Sequence, residues 1–192
     1  MLVVGLGNPG VRYHNTRHNV GFGVIDQVAE QCHITLRKRL LHPYLSGKGV
    51  FQDTSMYLVK PLTFMNNSGT IFPALLRRTG EQIEDTVVIC DNMDLEPGMI
   101  RIRKRGSHAG QKGLKSIIDA TGTSEFIRIY VGIGRPSSDS HVIDHVLGIP
   151  ADQEMERISG GIARAAAAVI QIVSGTELEQ VMNEFNRKNL ST

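Results

Sequence analysis

The sequence predicts an α/β domain: one twisted, mixed β-sheet flanked by helices. Three observations carry that expectation. Short apolar runs of strand length alternate with longer stretches of helical periodicity. Two strand-like runs, Leu45–Phe51 and Met56–Lys60, join near Asp53 as a hairpin, which adds an antiparallel pair to the alternating chain. No internal repeat and no linker divides the chain, so residues 1–192 read as a single domain.

The elements follow in order. Leu2–Gly5 is an apolar strand closed by a turn of Gly, Asn and Pro. Val20–Cys32 puts Val24, Ile25, Val28 and Cys32 on one helical face. Ser68 is read as the N-cap of a helix through Arg78 that stops at Gly80, a reading that needs Pro73 in the first turn. Thr86–Cys90 and Met99–Arg105 are strands around an acidic turn. Gly106–Gly113 is a glycine-rich loop, and a short helix follows from Leu114. Phe126–Ile133 alternates, with Ile127, Ile129, Val131 and Ile133 on one side and Phe126, Arg128 and Tyr130 on the other. Residues 134–140 form a loop. Ala151–Ser174 and Thr176–Lys188 are two closing helices parted by Gly175, the first reinforced by Ala165–Ala168.

Composition excludes several classes. With 41% apolar and 21% charged residues the chain is ordinary for a soluble globular protein. A domain of this length buries about 70% of its unfolded surface, so it needs no covalent staples. Cys32 and Cys90 alone do not make a disulfide framework, and a reducing cytoplasm is the expected setting. The opening apolar run lacks a basic n-region and is not read as a signal peptide. No apolar stretch approaches the ~20 residues that span a bilayer, so no membrane partner is expected. No heptad seam is present, and a monomer is expected.

Gly5-Leu6-Gly7-Asn8-Pro9-Gly10 matches the glycine pattern of dinucleotide-binding turns. That use requires a helix to start within the glycines, so that its N–H groups meet a pyrophosphate. Pro9 and the polar run from Tyr13 to Asn19 delay the helix instead. Residues 24–32 then carry a helical pattern where a second strand and its acidic ribose ligand belong. Four segments hold polar residues that secondary structure alone does not explain: Asn8 with His18 and Asn19, residues 60–69, residues 90–95 and residues 106–113. In open α/β sheets ligands sit beyond the carboxyl ends of strands, so loops meeting there would gather a histidine, a carboxylate and several amides. A histidine oriented by an aspartate is the simplest general-base device near neutral pH.

Taken in order, GLGNPG, TRHNVGF, KPLTFMNNSG, DNMDLEPG, the GSHAGQKG loop and GIGRP resemble the bacterial peptidyl-tRNA hydrolase family, over about residues 3–150. The resemblance implies an esterase that acts on peptidyl-tRNA without metal or cofactor. It implies His18 as the base that activates water and Asp91 as the group that holds its imidazole. Asn8 and Asn66 would position water and substrate, Met65 would line the site, and Tyr13 is grouped with the substrate- and tRNA-binding residues. Amide donors suit this chemistry because charge develops on the carbonyl oxygen in the tetrahedral transition state. The family usually ends its glycine loop in His-Asn-Gly, whereas this chain has Gln111-Lys112-Gly113. Gln111 could supply an amide to substrate; Lys112 is donor-only and cannot copy an asparagine acceptor.

Residues 101–115 hold Arg101, Arg103, Lys104, Arg105, Lys112 and Lys115 with no acidic residue, a cationic patch suited to phosphate. The resemblance implies that Arg101 and Arg103 clamp the tRNA 5′-phosphate. A third basic residue found in some members falls at Tyr130, and Arg128 or Arg135 are candidates to compensate. Other readings remain: an RNA-binding protein that keeps the fold without the hydrolysis, or a nicotinamide enzyme. At single residues, His14 and His18 have metal-ligand spacing and Cys90 or Ser107 could be read as nucleophiles.

Overall fold

The first strand of the chain, β1 (Leu2–Gly5), lies at the centre of the sheet in the computed structural model, which describes residues 1–38, 40–136 and 141–187. Its residues are all buried, as expected of a continuous apolar run covered on both faces. It pairs in parallel with β4 (Thr54–Pro61) on one side and β5 (Val87–Asn92) on the other. β5 pairs in parallel with β7 (Ile127–Gly132). The edges are antiparallel: β6 (Ile100–Arg103) lies on β7, and β3 (Tyr44–Phe51) and then β2 (Arg37–Lys38) extend from β4. The result is a seven-stranded mixed sheet of order β2-β3-β4-β1-β5-β7-β6.

Side-chain alternation sends successive residues to two cores. Val3, Ile89, Ile129 and Val131 pack under α1 (Val20–Gln31), α5 (Asp152–Val173) and α6 (Leu178–Phe185). Val4, Val88, Cys90 and Tyr130 pack under α2 (Phe72–Thr79) and α3 (Lys112–Thr121). The hairpin turns at Gln52 and Asp53, both at positive φ (44° and 66°), which is the backbone a two-residue turn between right-twisted strands favours. Gly175, at φ 85°, parts α5 from α6 as the sequence indicated.

Several expectations are corrected. The helix expected after Ser68 starts only at Phe72; Met65–Ile71 is a 3₁₀ segment instead. Ser68 Oγ donates back to the Met65 carbonyl at 2.9 Å rather than capping the α-helix, and Pro73 falls in the first turn, where its missing N–H costs no ladder bond. The short edge β2 and a further helix, α4 (Val142–Leu147), were not foreseen. The two faces of β7 are assigned as expected, but neither meets solvent. Arg128 is fully buried, stacked over Phe126 at 4.2 Å with Nη2 donating to the Ser124 carbonyl, so it does not stand in for a surface phosphate ligand. Residues 137–140 of the expected loop, and Lys188 at the end of the last helix, lie outside the described residues.

Candidate active site

The site forms where β1 and β5 end side by side. Leu6 N–H still donates to the Ile89 carbonyl at 2.8 Å, and beyond it the two chains diverge and open a crevice. Asn8 sits in the loop after β1, and Asp91 near the end of β5. A 3₁₀ turn, Arg17–Asn19, leads into α1 and carries His18 over the end of β5.

Asn19 fastens this turn to the loop. Its Oδ1 accepts from Asn8 N–H at 2.8 Å and its Nδ2 donates to the Asn8 carbonyl at 3.0 Å, all buried. Asn8 Oδ1 accepts from Met65 N–H at 2.8 Å. Because a backbone N–H can only donate, this fixes the amide orientation and leaves Asn8 Nδ2 as a donor with no partner among the described residues. His18 Nδ1 lies 2.9 Å from Asp91 Oδ1; the contact is short but bent away from the ring N–H axis. Asp91 is buried and His18 nearly so.

Gln111 completes the floor. It is the N-cap of α3, with Oε1 accepting from Leu114 N–H at 2.9 Å. Its Nε2 donates to Asp91 Oδ1 at 3.0 Å and touches Met65 Sδ at 3.3 Å. The amide is thus engaged within the fold by its acceptor and one of its donors, while the side chain lines the cleft.

These groups line a cleft of about 400 Å³. It brings together Asn8, Tyr13, His18, Met65, Asn66, Asp91, Gln111 and Lys112, all proposed from the sequence. Its apolar wall was missed: Phe64, half exposed and edge-on to Tyr13 at 6.4 Å, with Val142, Ile143, Val146 and Leu147 of α4. The i, i+3, i+4 spacing of those aliphatics was the available signal. Arg101 and Arg103 do not line the cleft. They alternate outward on β6, beside Arg105, around a neighbouring depression. Tyr130 borders both cavities, and burial foremost pushes its phenol up to about 12, so it stays a neutral donor.

The competing chemistries fare poorly. Burial first, then Asp91, pushes the Cys90 thiol well above its ordinary range, so no thiolate forms there near neutral pH. Among the described residues no three His, Cys, Asp or Glu side chains gather as a metal site. The glycines end at Gly10 while α1 starts only at Val20, so no α-helix begins within the glycine turn as the dinucleotide pattern requires. No helix among the described residues is long and apolar enough to cross a membrane.

The family model described as "Peptidyl-tRNA hydrolase" matches residues 2–192. The chain belongs to the peptidyl-tRNA hydrolase family. The peptidyl-tRNA hydrolase of Bacillus subtilis is 45% identical over 188 residues, covering 98% of this chain and 99% of that protein. That of Moorella thermoacetica is 43% identical, covering 97% of each. The crystal structure of peptidyl-tRNA hydrolase from Acinetobacter baumannii superposes with a TM-score of 0.91 at 34% identity, over 96% of this chain and 93% of that one.

In this member of the peptidyl-tRNA hydrolase family the turn that carries His18 is also latched from behind. Arg17 pairs bidentately with Glu154 of α5 (2.7 and 2.6 Å), and its Nη1 donates to the His145 carbonyl of α4 at 3.2 Å. The Arg17 guanidinium holds the Glu154 carboxyl below its ordinary 4.5. A depressed carboxyl stabilises the fold above its unfolded value and ceases to do so as pH falls through the folded one. Glu154→Gln is therefore expected to lower the urea midpoint near pH 7. The difference from wild type should shrink as pH falls below 4.5. Urea titrations across that range check it; a gap independent of pH would exclude the ion pair as its source.

Proposed function

We propose that the chain hydrolyses the ester joining the peptide to the terminal ribose of peptidyl-tRNA, releasing peptide and tRNA intact for reuse in translation. One observation carries the reading most: the His18 imidazole meets the Asp91 carboxylate at 2.9 Å in a cleft bordered by an arginine patch. With Nδ1–H held toward Asp91, the Nε2 lone pair serves as the base that takes a proton from water. The Asn8 Nδ2 donor and the exposed amide of Asn66 act on water and on the carbonyl oxygen as it gains charge. Met65 fills the floor. The apolar wall of Phe64 and α4 suits the peptide, whose amino terminus carries no free charge near the ester.

The tRNA side rests on Arg101 and Arg103, which grip phosphate bidentately without reading sequence, as an enzyme serving every tRNA requires. Tyr13 and Lys112, at the mouth of the cleft, meet the 3′ end. Lys112 brings a cation where the family has an asparagine, so its contact is to phosphate rather than to a donor. The whole of residues 1–192 works as one such domain, as a monomer in the cytoplasm. The intact His18–Asp91 pair favours this enzyme over an RNA-binding protein that performs no hydrolysis.

The purified chain is expected to cleave N-acetylated aminoacyl-tRNA and to spare the form with a free amine; failure to cleave the acetylated substrate would overturn the proposal. Arg103→Ala should weaken tRNA binding and reduce the slope of log affinity against log salt by about one unit. An unchanged slope in filter-binding titrations would remove Arg103 from the phosphate contacts.

A further inference from the structure

We propose that Gln111 is a positioning residue for the catalytic pair: it holds the Asp91 carboxylate and draws off part of its charge, keeping His18 less basic than Asp91 alone would make it. The inference rests on the reading of His18 as the general base.

Its geometry has little freedom. Leu114 N–H can only donate, so Gln111 Oε1 faces the helix and Nε2 must face Asp91. Both His18 Nδ1 (2.9 Å) and Gln111 Nε2 (3.0 Å) address the same oxygen, Asp91 Oδ1. A carboxylate oxygen that accepts from a neutral amide shares its negative charge with that donor, and the imidazolium it would otherwise stabilise is favoured less. The amide is held at both ends. Its acceptor end is the helix cap, its donor end also touches Met65 Sδ, and Gly113 has no side chain, where a Cβ would lie 2.6 Å from that sulfur and 3.0 Å from Gln111 Oε1. The other ionisable groups around the pair come from separate elements. Cys90 lies behind Asp91 in β5, Tyr130 on β7, Tyr13 on the turn, and His108 and Lys112 about the glycine loop. Asp94 is neutralised by Arg135 at 2.7 Å. A substitution at Gln111 leaves all of these in place, so a change in the pH profile reports the Asp91 contact.

Two variants separate the cap from that contact. Gln111→Glu keeps the length and an acceptor for Leu114 N–H but turns an oxygen toward Asp91. Gln111→Met removes both hydrogen bonds without adding charge. The acidic limb of kcat/KM against pH is expected to rise by about one unit in Gln111→Glu and by less in Gln111→Met. At pH values below the limb, kcat should fall on the order of tenfold in Gln111→Glu with KM little changed. Both variants should lose thermal stability, the methionine through the missing cap and the glutamate through like charge beside buried Asp91. If the glutamate variant does not fold, the limb of the methionine variant decides. A wild-type limb in the folded variants, or an effect confined to KM, would overturn the proposal. His18→Ala, assayed in parallel, tells the two failures apart. An active His18→Ala protein removes the base itself. An inactive one beside an unshifted Gln111→Glu removes only the role of Gln111.

Discussion

His18→Ala is expected to lower kcat on N-acetylated aminoacyl-tRNA by about 10²–10⁴-fold, the usual contribution of a positioned base. Affinity for tRNA should stay within about twofold of wild type, because the phosphate contacts assigned to Arg101 and Arg103 lie on a different strand and in a neighbouring depression. Stability should change little. The imidazole sits at the edge of the cleft with Asp91 as its polar neighbour, and Asp91 keeps the Gln111 amide when the ring is gone. Single-turnover hydrolysis and equilibrium binding on the same preparation separate the two quantities. A variant that turns over at the wild-type rate would take His18 out of the chemistry, whereas a loss shared between KM and kcat would make it a binding group.

Gly21→Ala is expected to be strongly destabilising. The added Cβ would lie 2.5 Å from the Leu6 carbonyl oxygen and 2.6 Å from both the Leu6 nitrogen and the Ile89 carbonyl oxygen. Every one of these is backbone, so no side chain can rotate away. α1 would have to lift from the sheet at the point where β1 and β5 part, close to Asn8 in the loop after β1 and Asp91 near the end of β5. Overpacking of this kind reaches or exceeds the upper end of ~1–3 kcal/mol, about 6–12 °C in Tm for a chain of this size. Gly160→Ala is the matched control. It lies inside α5 with nothing within 4 Å of the new Cβ, and should gain about 0.5–1 kcal/mol. Equal melting temperatures for the Gly21 variant and wild type would show that the helix can shift without loss.

The same contact explains an ambiguity of the amino-terminal motif. Gly5 fits a nucleotide-binding pattern in the sequence, yet in the fold its missing side chain lets α1 cross β1, with the Gly21 carbonyl oxygen 2.1 Å from where a Cβ would stand. A glycine required for close packing and one required to approach a phosphate look alike in a linear pattern.

What the sequence determined by itself follows from local rules. Apolar runs, periods of two and 3.6 residues and turn glycines are properties of neighbouring residues, and they placed β1, the hairpin, α1 and α5 within a few positions. The motif order named the family and the polar residues of the cleft. Only tertiary structure decided which groups serve one another. Gln111 was legible as an amide donor, but not that its donor would meet Asp91 while its acceptor capped α3. Arg128 was legible as a cation, but not that β6 and its loop would bury it against Phe126. Nothing local to Arg17 indicates that Glu154, far along the chain, closes on it. Such partners are set by the convergence of separate strands and helices through space, and a hydrogen bond's energy depends on that distance and angle, which no local pattern encodes.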